Sequence, residues 1–183
     1  MKLLAIIPAK LDSKRLSKKN IRHLNGKPML LHSVDYVKQS RYDVDIVVSS
    51  EGDIVKDLCD KNNIKFYERP ISLCGETEVV DVYVHLTQQL DKKYDIVVGL
   101  QPDNPNRSNT FDSCVDYMIE NKYDYIITIN KDSKRSGAMR LFKYEHLING
   151  KVSYRIGCIK EEAMDIHTKE DLDKLKKIME SKW

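Results

Sequence analysis

The apolar and polar positions alternate between two periods along the chain. Residues 3–7 are a continuous apolar run closed by Pro8, the pattern of a strand buried on both faces of a parallel sheet. An apolar segment suited to a helix starts at Pro28, after a turn at Asn25-Gly26. Residues 45–50 read as a second buried strand, and residues 51–62 as a helix with Ile54, Val55, Leu58 and Cys59 on one face. A short strand at 64–67 precedes a helix over 77–90, capped by Thr77, with Val80, Val84 and Leu86 inward. A strand over 94–100, a helix starting at Ser108 or Asn109, and a strand over 123–130 follow. The last third is less regular: short strands at 138–142 and 152–157, a strand end at 164–167, and an amphipathic helix from Lys169. Strands alternating with helices predict an α/β fold: a doubly wound, mostly parallel sheet with helices on both faces. No repeat, low-complexity tract or linker divides the chain, so residues 1–183 are expected to form a single domain.

That order places three loops at strand ends. Residues 10–20 hold five cations: Lys10, Lys14, Arg15, Lys18 and Lys19. Residues 68–76 contain Arg69, and residues 101–107 contain Gln101, Asp103 and Arg107. In a doubly wound sheet the carboxyl ends of the strands share one rim, where ligands bind. Several cations with two separated carboxylates, Asp103 and Asp165, suit a polyphosphate carrying Mg2+. Neither GxGxxG nor GxxxxGK[ST] is present, so side-chain cations would grip the phosphates along with backbone N–H groups. A plain solvated basic loop is the competing reading. The residues alone support a nucleotide or polyphosphate enzyme.

Composition narrows the surroundings. Charged residues make up 32% and hydrophobic ones 41%, a soluble balance. The net charge of +3 is too small and dispersed to argue for nucleic acid. No apolar run reaches membrane-spanning length and no signal-peptide pattern opens the chain, so a cytoplasmic protein without membrane association is expected. Cys59, Cys74, Cys114 and Cys158 lack metal-ligand spacing and read as reduced thiols.

The motifs then point to a family. PAKLDSKRLSKKN followed by GKP resembles the acylneuraminate cytidylyltransferases, which include CMP-sialic acid synthetases and, more distantly, CMP-KDO synthetases. The likeness continues through IVVSSEGD, ERP, LQPDNPNR, SGAMRLF and MDIHTKEDL, in order over nearly the whole chain. It implies a Rossmann-like nucleotidyltransferase fold. The implied reaction joins CTP to an acidic 2-keto-3-deoxy sugar, giving a CMP-sugar for cell-surface polysaccharide and pyrophosphate. The resemblance implies catalytic duty for Lys10, Lys19 and Asp165. Nucleotide contacts would come from Ala9, Lys10, Ser13, Lys14, Lys19, Asn20 and Arg69. Acceptor contacts would come from Gln101, Asn104, Arg107 and His167, and Mg2+ would sit between Asp103 and Asp165.

The chain also departs from the family pattern. Lys10 replaces an arginine and keeps charge without the bidentate fork. Ser17 replaces a proline, and His167 stands where sialic-type relatives place a second aspartate. The segment between the fifth strand and Ser136 is only about residues 131–135, where relatives carry a dimer arm that also reaches the partner's substrate. A homodimer of the usual kind is therefore in question. Two alternatives stay open: a different small acidic or phosphorylated acceptor, or a non-catalytic nucleotide-binding relative. Plain roles compete for single residues too. His23, His32, His85 and His146 read as surface or helix positions, and Tyr36, Tyr83, Tyr94, Tyr123 and Tyr125 as core. Asp165 could simply cap the last helix.

Overall fold

The computed structural model describes residues 1–150 and 152–180, so the expected 1–183 domain runs beyond the described residues at 151 and 181–183. β1 (Lys2–Pro8) lies mid-sheet, and Leu3 to Ile7 are fully buried, as an apolar run flanked on both faces requires. On one side of it lie β4 (Asp43–Ser50) and β5 (Lys65–Glu68), and on the other lies β6 (Ile96–Leu100), all parallel. The strand order therefore reverses between β1 and β6, which opens a crevice at their carboxyl ends. The seven-stranded order is β5-β4-β1-β6-β8-β7-β9, with β7 (Tyr125–Ile129), β8 (Arg135–Lys143) and β9 (Ile156–Lys160). The sheet is Rossmann-like and mostly parallel, as expected.

One strand departs from the simple alternation. β8 is not a short accessory strand at 138–142. It runs antiparallel between β6 and β7 and separates them. The hairpin that allows this is tight: Asn130 Oδ1 accepts from Asp132 N and Lys134 N, and Ser133 adopts φ 58°. Pairing shifts between Ile127 and Ile129, so residues 136–139 bulge from the ladder. Thr128 Oγ1 holds that bulge, accepting from Met139 N and donating to the Met139 carbonyl. The strand expected at 152–157 forms instead over Ile156–Lys160, and residues 164–167 have no strand structure.

The helices are α1 (Met29–Lys38), α2 (Asp53–Lys61), α3 (Val79–Gln89), α4 (Phe111–Glu120), α5 (Tyr144–Asn149) and α6 (Lys169–Glu180). Asn25-Gly26, with φ 47° and 83°, closes a small hairpin of β2 (His23–Leu24) and β3 (Lys27–Pro28) ahead of α1. The inner face of α3 differs in phase from the expected one. Val82, Tyr83, Leu86 and Thr87 are buried, while Val80 and Val84 are only partly so. The cause is Gly99: a Cβ there would lie 2.1 Å from Tyr83 Cζ, so the ring fills the space the glycine leaves. In α2, Val55 and Cys59 are buried but Ile54 is exposed. Burial pushes the thiols of Cys59 and Cys114 up to about 11 and about 12, and all four cysteines are free. No helix among the described residues is long and apolar enough to cross a membrane.

Candidate active site

Three loops meet over the crevice. Residues from 10–20, 69–79 and 101–103 line a cleft of about 360 Å³. Lys10, Ser13, Lys14, Lys19, Asn20, Arg69, Gln101 and Asp103 all reach it, as the topology predicts. Ala9 does not. It is fully buried, with its N–H donating to the Ser49 carbonyl at 2.8 Å and its carbonyl accepting from Ser50 Oγ at 2.7 Å. Its position between the ends of β1 and β4 uses both backbone groups, so it supports the cleft from below.

The cationic loop is held against the second loop. Lys10 Nζ donates to the Gly75 carbonyl at 2.7 Å, and Lys14 Nζ lies 2.5 Å from Glu76 Oε1. Asn20 Nδ2 donates to the Lys10 carbonyl at 2.8 Å, and Asn20 Oδ1, buried, has no hydrogen-bond partner. Thr77 does not cap α3. Its hydroxyl donates to the Cys74 carbonyl at 3.1 Å and closes the loop that Gly75 turns at φ 77°. Arg69 is 6% exposed, and Nη2 donates to the Ser49 carbonyl at 2.7 Å with Glu51 Oε2 3.8 Å from Nη1. Burial lowers its pKa, and Glu51 offsets that most. Arg69 is thus a fixed cation in the cleft wall.

The carboxylates come from the other side. Ile166 N donates to the Asp103 carbonyl at 2.9 Å, which docks the extended 164–167 segment onto the loop after β6. Lys19 Nζ then donates to Asp103 Oδ2 at 2.6 Å and to the Ile166 carbonyl at 2.9 Å. This pair is only 11% and 13% exposed. Asp165 is not in the cleft wall; its side chain is 43% exposed, and Asn104 Nδ2 donates to Asp165 Oδ1 at 3.2 Å and to Asp103 Oδ1 at 3.4 Å. Partial desolvation pushes the Asp165 carboxyl up although its side chain is 43% exposed, and the nearby charge of Asp103 adds to the rise. Asp165 is not the cap of α6. Thr168 and Asp171 form that cap reciprocally, with Asp171 N donating to Thr168 Oγ1 and Thr168 N to Asp171 Oδ2.

His167 sits between two charges. Arg15 Nη2 donates to Nδ1 at 2.9 Å, and Nε2 lies 2.8 Å from Asp165 Oδ2. An arginine can only donate, so Nδ1 accepts and Nε2–H donates to the carboxylate. Both ring nitrogens are engaged, and His167 does not line the cleft; it steadies Asp165. Two further residues expected to touch the acceptor do not face the cleft either. Asn104 is 1% exposed beneath the carboxylates. Arg107 donates to the carbonyls of Gln101 and Ala138 and to Ser33 Oγ, and stacks 5.1 Å over the Tyr36 ring. Its fork clamps the bulge of β8 to the end of β6.

Glu161 escaped the sequence reading. It is 1% exposed and accepts from Ser108 N, Ser108 Oγ, Asn109 Nδ2 and Ala163 N. This takes up Ser108 and Asn109, so α4 is capped later, by Thr110. Glu161 thereby fastens the chain beyond Arg107 to the chain leading to Asp165. A glutamate just after a short strand, unmatched to any motif, gives no sequence signal of such a role.

Among the described residues no three metal-ligating side chains cluster. Two carboxylates still fit a magnesium ion, which takes its remaining ligands from phosphate and water. The fit shows in the two carboxylates sharing one donor, Asn104 Nδ2, and in the ammonium already bound to Asp103.

Residues 4–146 match the Cytidylyltransferase family. CMP-N,N'-diacetyllegionaminic acid synthase of Legionella pneumophila is 36% identical over 112 residues, covering 58% of this chain and 48% of that protein. 3-deoxy-manno-octulosonate cytidylyltransferase of Wigglesworthia glossinidia brevipalpis is 34% identical over 113 residues, covering 61% and 45%. The chain thus spans about half the length of these relatives. A solved structure of CMP:2-keto-3-deoxy-manno-octonic acid synthetase complexed with CTP superposes over 100% of both chains, with a TM-score of 0.82 and 15% identity, a likeness of fold. With the match over residues 4–146, the chain belongs to the cytidylyltransferase family.

Proposed function

We propose that this chain transfers CMP from CTP to an acidic 2-keto-3-deoxy sugar and releases pyrophosphate. The observation that carries the reading is Lys19. Its ammonium stands where the cationic cleft meets the Asp103–Asp165 pair, so phosphate-binding and metal-binding groups share one junction. The named substrates of the relatives, a legionaminic acid and 3-deoxy-manno-octulosonate, supply the acceptor class. Lys10, Lys14, Lys19 and Arg69 would hold the triphosphate, and Asp103 and Asp165 would hold magnesium, which offsets phosphate charge when bound. The acceptor's anomeric hydroxyl oxygen attacks the α-phosphorus, its proton passes to water, and the bond to the pyrophosphate oxygen breaks. Lys19 offsets the charge that gathers on the departing group. Asn104 and His167 hold Asp165 in place while this happens.

The tight 130–134 turn favours a site completed without an exchanged arm, and so a monomer or a dimer built on another surface. Calorimetry with magnesium and each of CTP, UTP, ATP and GTP tests the nucleotide half. CTP is expected to bind most tightly, and Lys19→Ala to weaken it by about tenfold or more. Equal binding of ATP or GTP contradicts the assignment.

A further inference from the structure

Asp103 and Asp165 use their oxygens unequally. Asp103 Oδ2 accepts from Lys19 Nζ at 2.6 Å, and Asp165 Oδ2 lies 2.8 Å from His167 Nε2. The two Oδ1 atoms have one donor between them among the described residues. It is Asn104 Nδ2, 3.4 Å from Asp103 and 3.2 Å from Asp165. Asn104 is almost fully buried, and its own Oδ1 has no hydrogen-bond partner. The two carboxylates alone therefore set which way the amide faces. A neutral N–H group occupies the point where the remaining oxygens of both acids converge.

An amide has two ends to offer. Rotation about its Cβ–Cγ bond is roughly twofold, and a half-turn exchanges Nδ2 and Oδ1 with little change of shape. Pro102 and Pro105 flank the Asp103-Asn104 pair and restrict its backbone, whereas the half-turn needs no backbone movement. Oδ1 makes no bond that the turn would break. Facing two carboxylates and no cation, an amide oxygen is unfavourable there. A divalent cation reverses the preference, because magnesium and its kin take oxygen ligands. An oxygen at the present place of Nδ2 would stand 3.2 and 3.4 Å from the two carboxylate oxygens. Neighbouring ligands of an octahedral magnesium ion are about 3 Å apart, so a small contraction puts the amide at a corner adjacent to each acid.

We infer that Asn104 is a third ligand of the divalent metal. Its N–H holds Asp103 and Asp165 together when no cation is bound, and its Oδ1 turns to the cation when one is. The inference rests on the proposed magnesium site and deepens it. Asp103 reaches the cleft and Asp165 is part-exposed, so phosphate and water have access to the other corners. The amide adds a ligand without adding charge, which suits an ion that must also accept phosphate oxygens.

The test uses Asn104→Asp and Asn104→Leu beside the unaltered protein, with Mn2+ and Mg2+ as probes. Bound Mn2+ is counted from the loss of the free ion's electron paramagnetic resonance signal. The count is made without nucleotide and with a CTP analogue whose α and β phosphorus atoms are bridged by methylene, which cannot release pyrophosphate. Asn104→Leu is expected to bind Mn2+ about tenfold or more weakly than the unaltered protein, and Asn104→Asp about tenfold more tightly. A residue that only holds the carboxylates by donating N–H behaves differently, since Asn104→Asp would lose the donor and weaken binding as well. Thermal unfolding in chelator should show Asn104→Asp melting lower than the unaltered protein, because three carboxylates then meet, with excess Mg2+ raising it by more. The side-chain carbonyl 13C signal of Asn104, identified by its absence in both variants, should move on saturation with Mg2+. Mn2+ binding in Asn104→Asp no tighter than in the unaltered protein overturns the inference, whether or not Asn104→Leu folds. A carbonyl signal that stays in place as Mg2+ binds overturns it too. If the unaltered protein binds the analogue but no Mn2+, the metal site and this inference fall while the nucleotide half of the proposed function stands. If it binds neither, both fall.

Discussion

The Lys19 ammonium lies 2.6 Å from Asp103 Oδ2 and 2.9 Å from the Ile166 carbonyl, so one side chain ties together the loop after β1, the loop after β6 and the segment between β9 and α6. Replacing it removes a shielded pair and leaves Asp103 uncompensated. Lys19→Met is expected to cost about 2–3 kcal/mol of stability, read by urea denaturation, as well as CTP affinity. Added magnesium should restore part of the lost stability, since a cation returns to Asp103. A variant as stable as the unaltered protein would show that the pair is not the tie described.

Glu161 predicts a different loss. Glu161 accepts from five N–H and O–H groups, and only Asn109 Nδ2 keeps another acceptor, so Glu161→Leu is expected to destabilise the fold by about 3 kcal/mol. It also frees the segment that brings Asp165 to Asp103. The magnesium concentration needed for half-maximal turnover should therefore rise in Glu161→Gln even where that protein remains folded. An unchanged magnesium requirement separates Glu161 from the site.

Gly99 is expected to tolerate nothing larger. A Cβ would meet Tyr83 ring atoms at 2.1 and 2.3 Å, and the ring has no space to retreat within the core. Gly99→Ala should lower stability by about 2–3 kcal/mol, and pairing it with Tyr83→Leu should recover much of that loss. Thermal melts of the single and double variants check the coupling.

Asp124 carries a pH dependence. Lys143, with smaller help from Ser153 and Arg155, holds its carboxyl down at about 2. The folded value is below that of a free carboxylate, about 3.9, so the stabilisation is present above pH 4 and is lost as pH falls toward 2. Solvent reaches Lys143 and Arg155, so Asp124→Asn should cost only about 1 kcal/mol at neutral pH. The gap should close near pH 2. A gap that persists there contradicts the ion pair as its source.

The parallel half of the sheet is legible in the sequence because burial on both faces leaves continuous apolar runs such as residues 3–7. The shared rim follows from strand order alone, which is why Lys10, Lys19, Arg69, Gln101 and Asp103 converge as expected. What the sequence hides is direction. Arg107 and Asn104 sit in the right loop, yet their side chains turn to backbone carbonyls and carboxylates beneath the cleft. The position of β8 is hidden as well, because an antiparallel central strand and an edge strand carry the same short apolar pattern. Arg140 falls within the segment 138–142 that reads as a short strand, which says nothing of its burial, and the structure leaves it 6% exposed opposite Gly99.

The most direct measurement of the central claim is product formation from CTP. The protein is incubated with magnesium, CTP and either 3-deoxy-manno-octulosonate or N-acetylneuraminate, and pyrophosphate and CMP-sugar are quantified together. The account predicts the two products in equal amounts with at least one of these acids. It predicts none with UTP, ATP or GTP, and none in Asp103→Asn. Pyrophosphate released equally from other nucleotides, or turnover undiminished in Asp103→Asn, would contradict it.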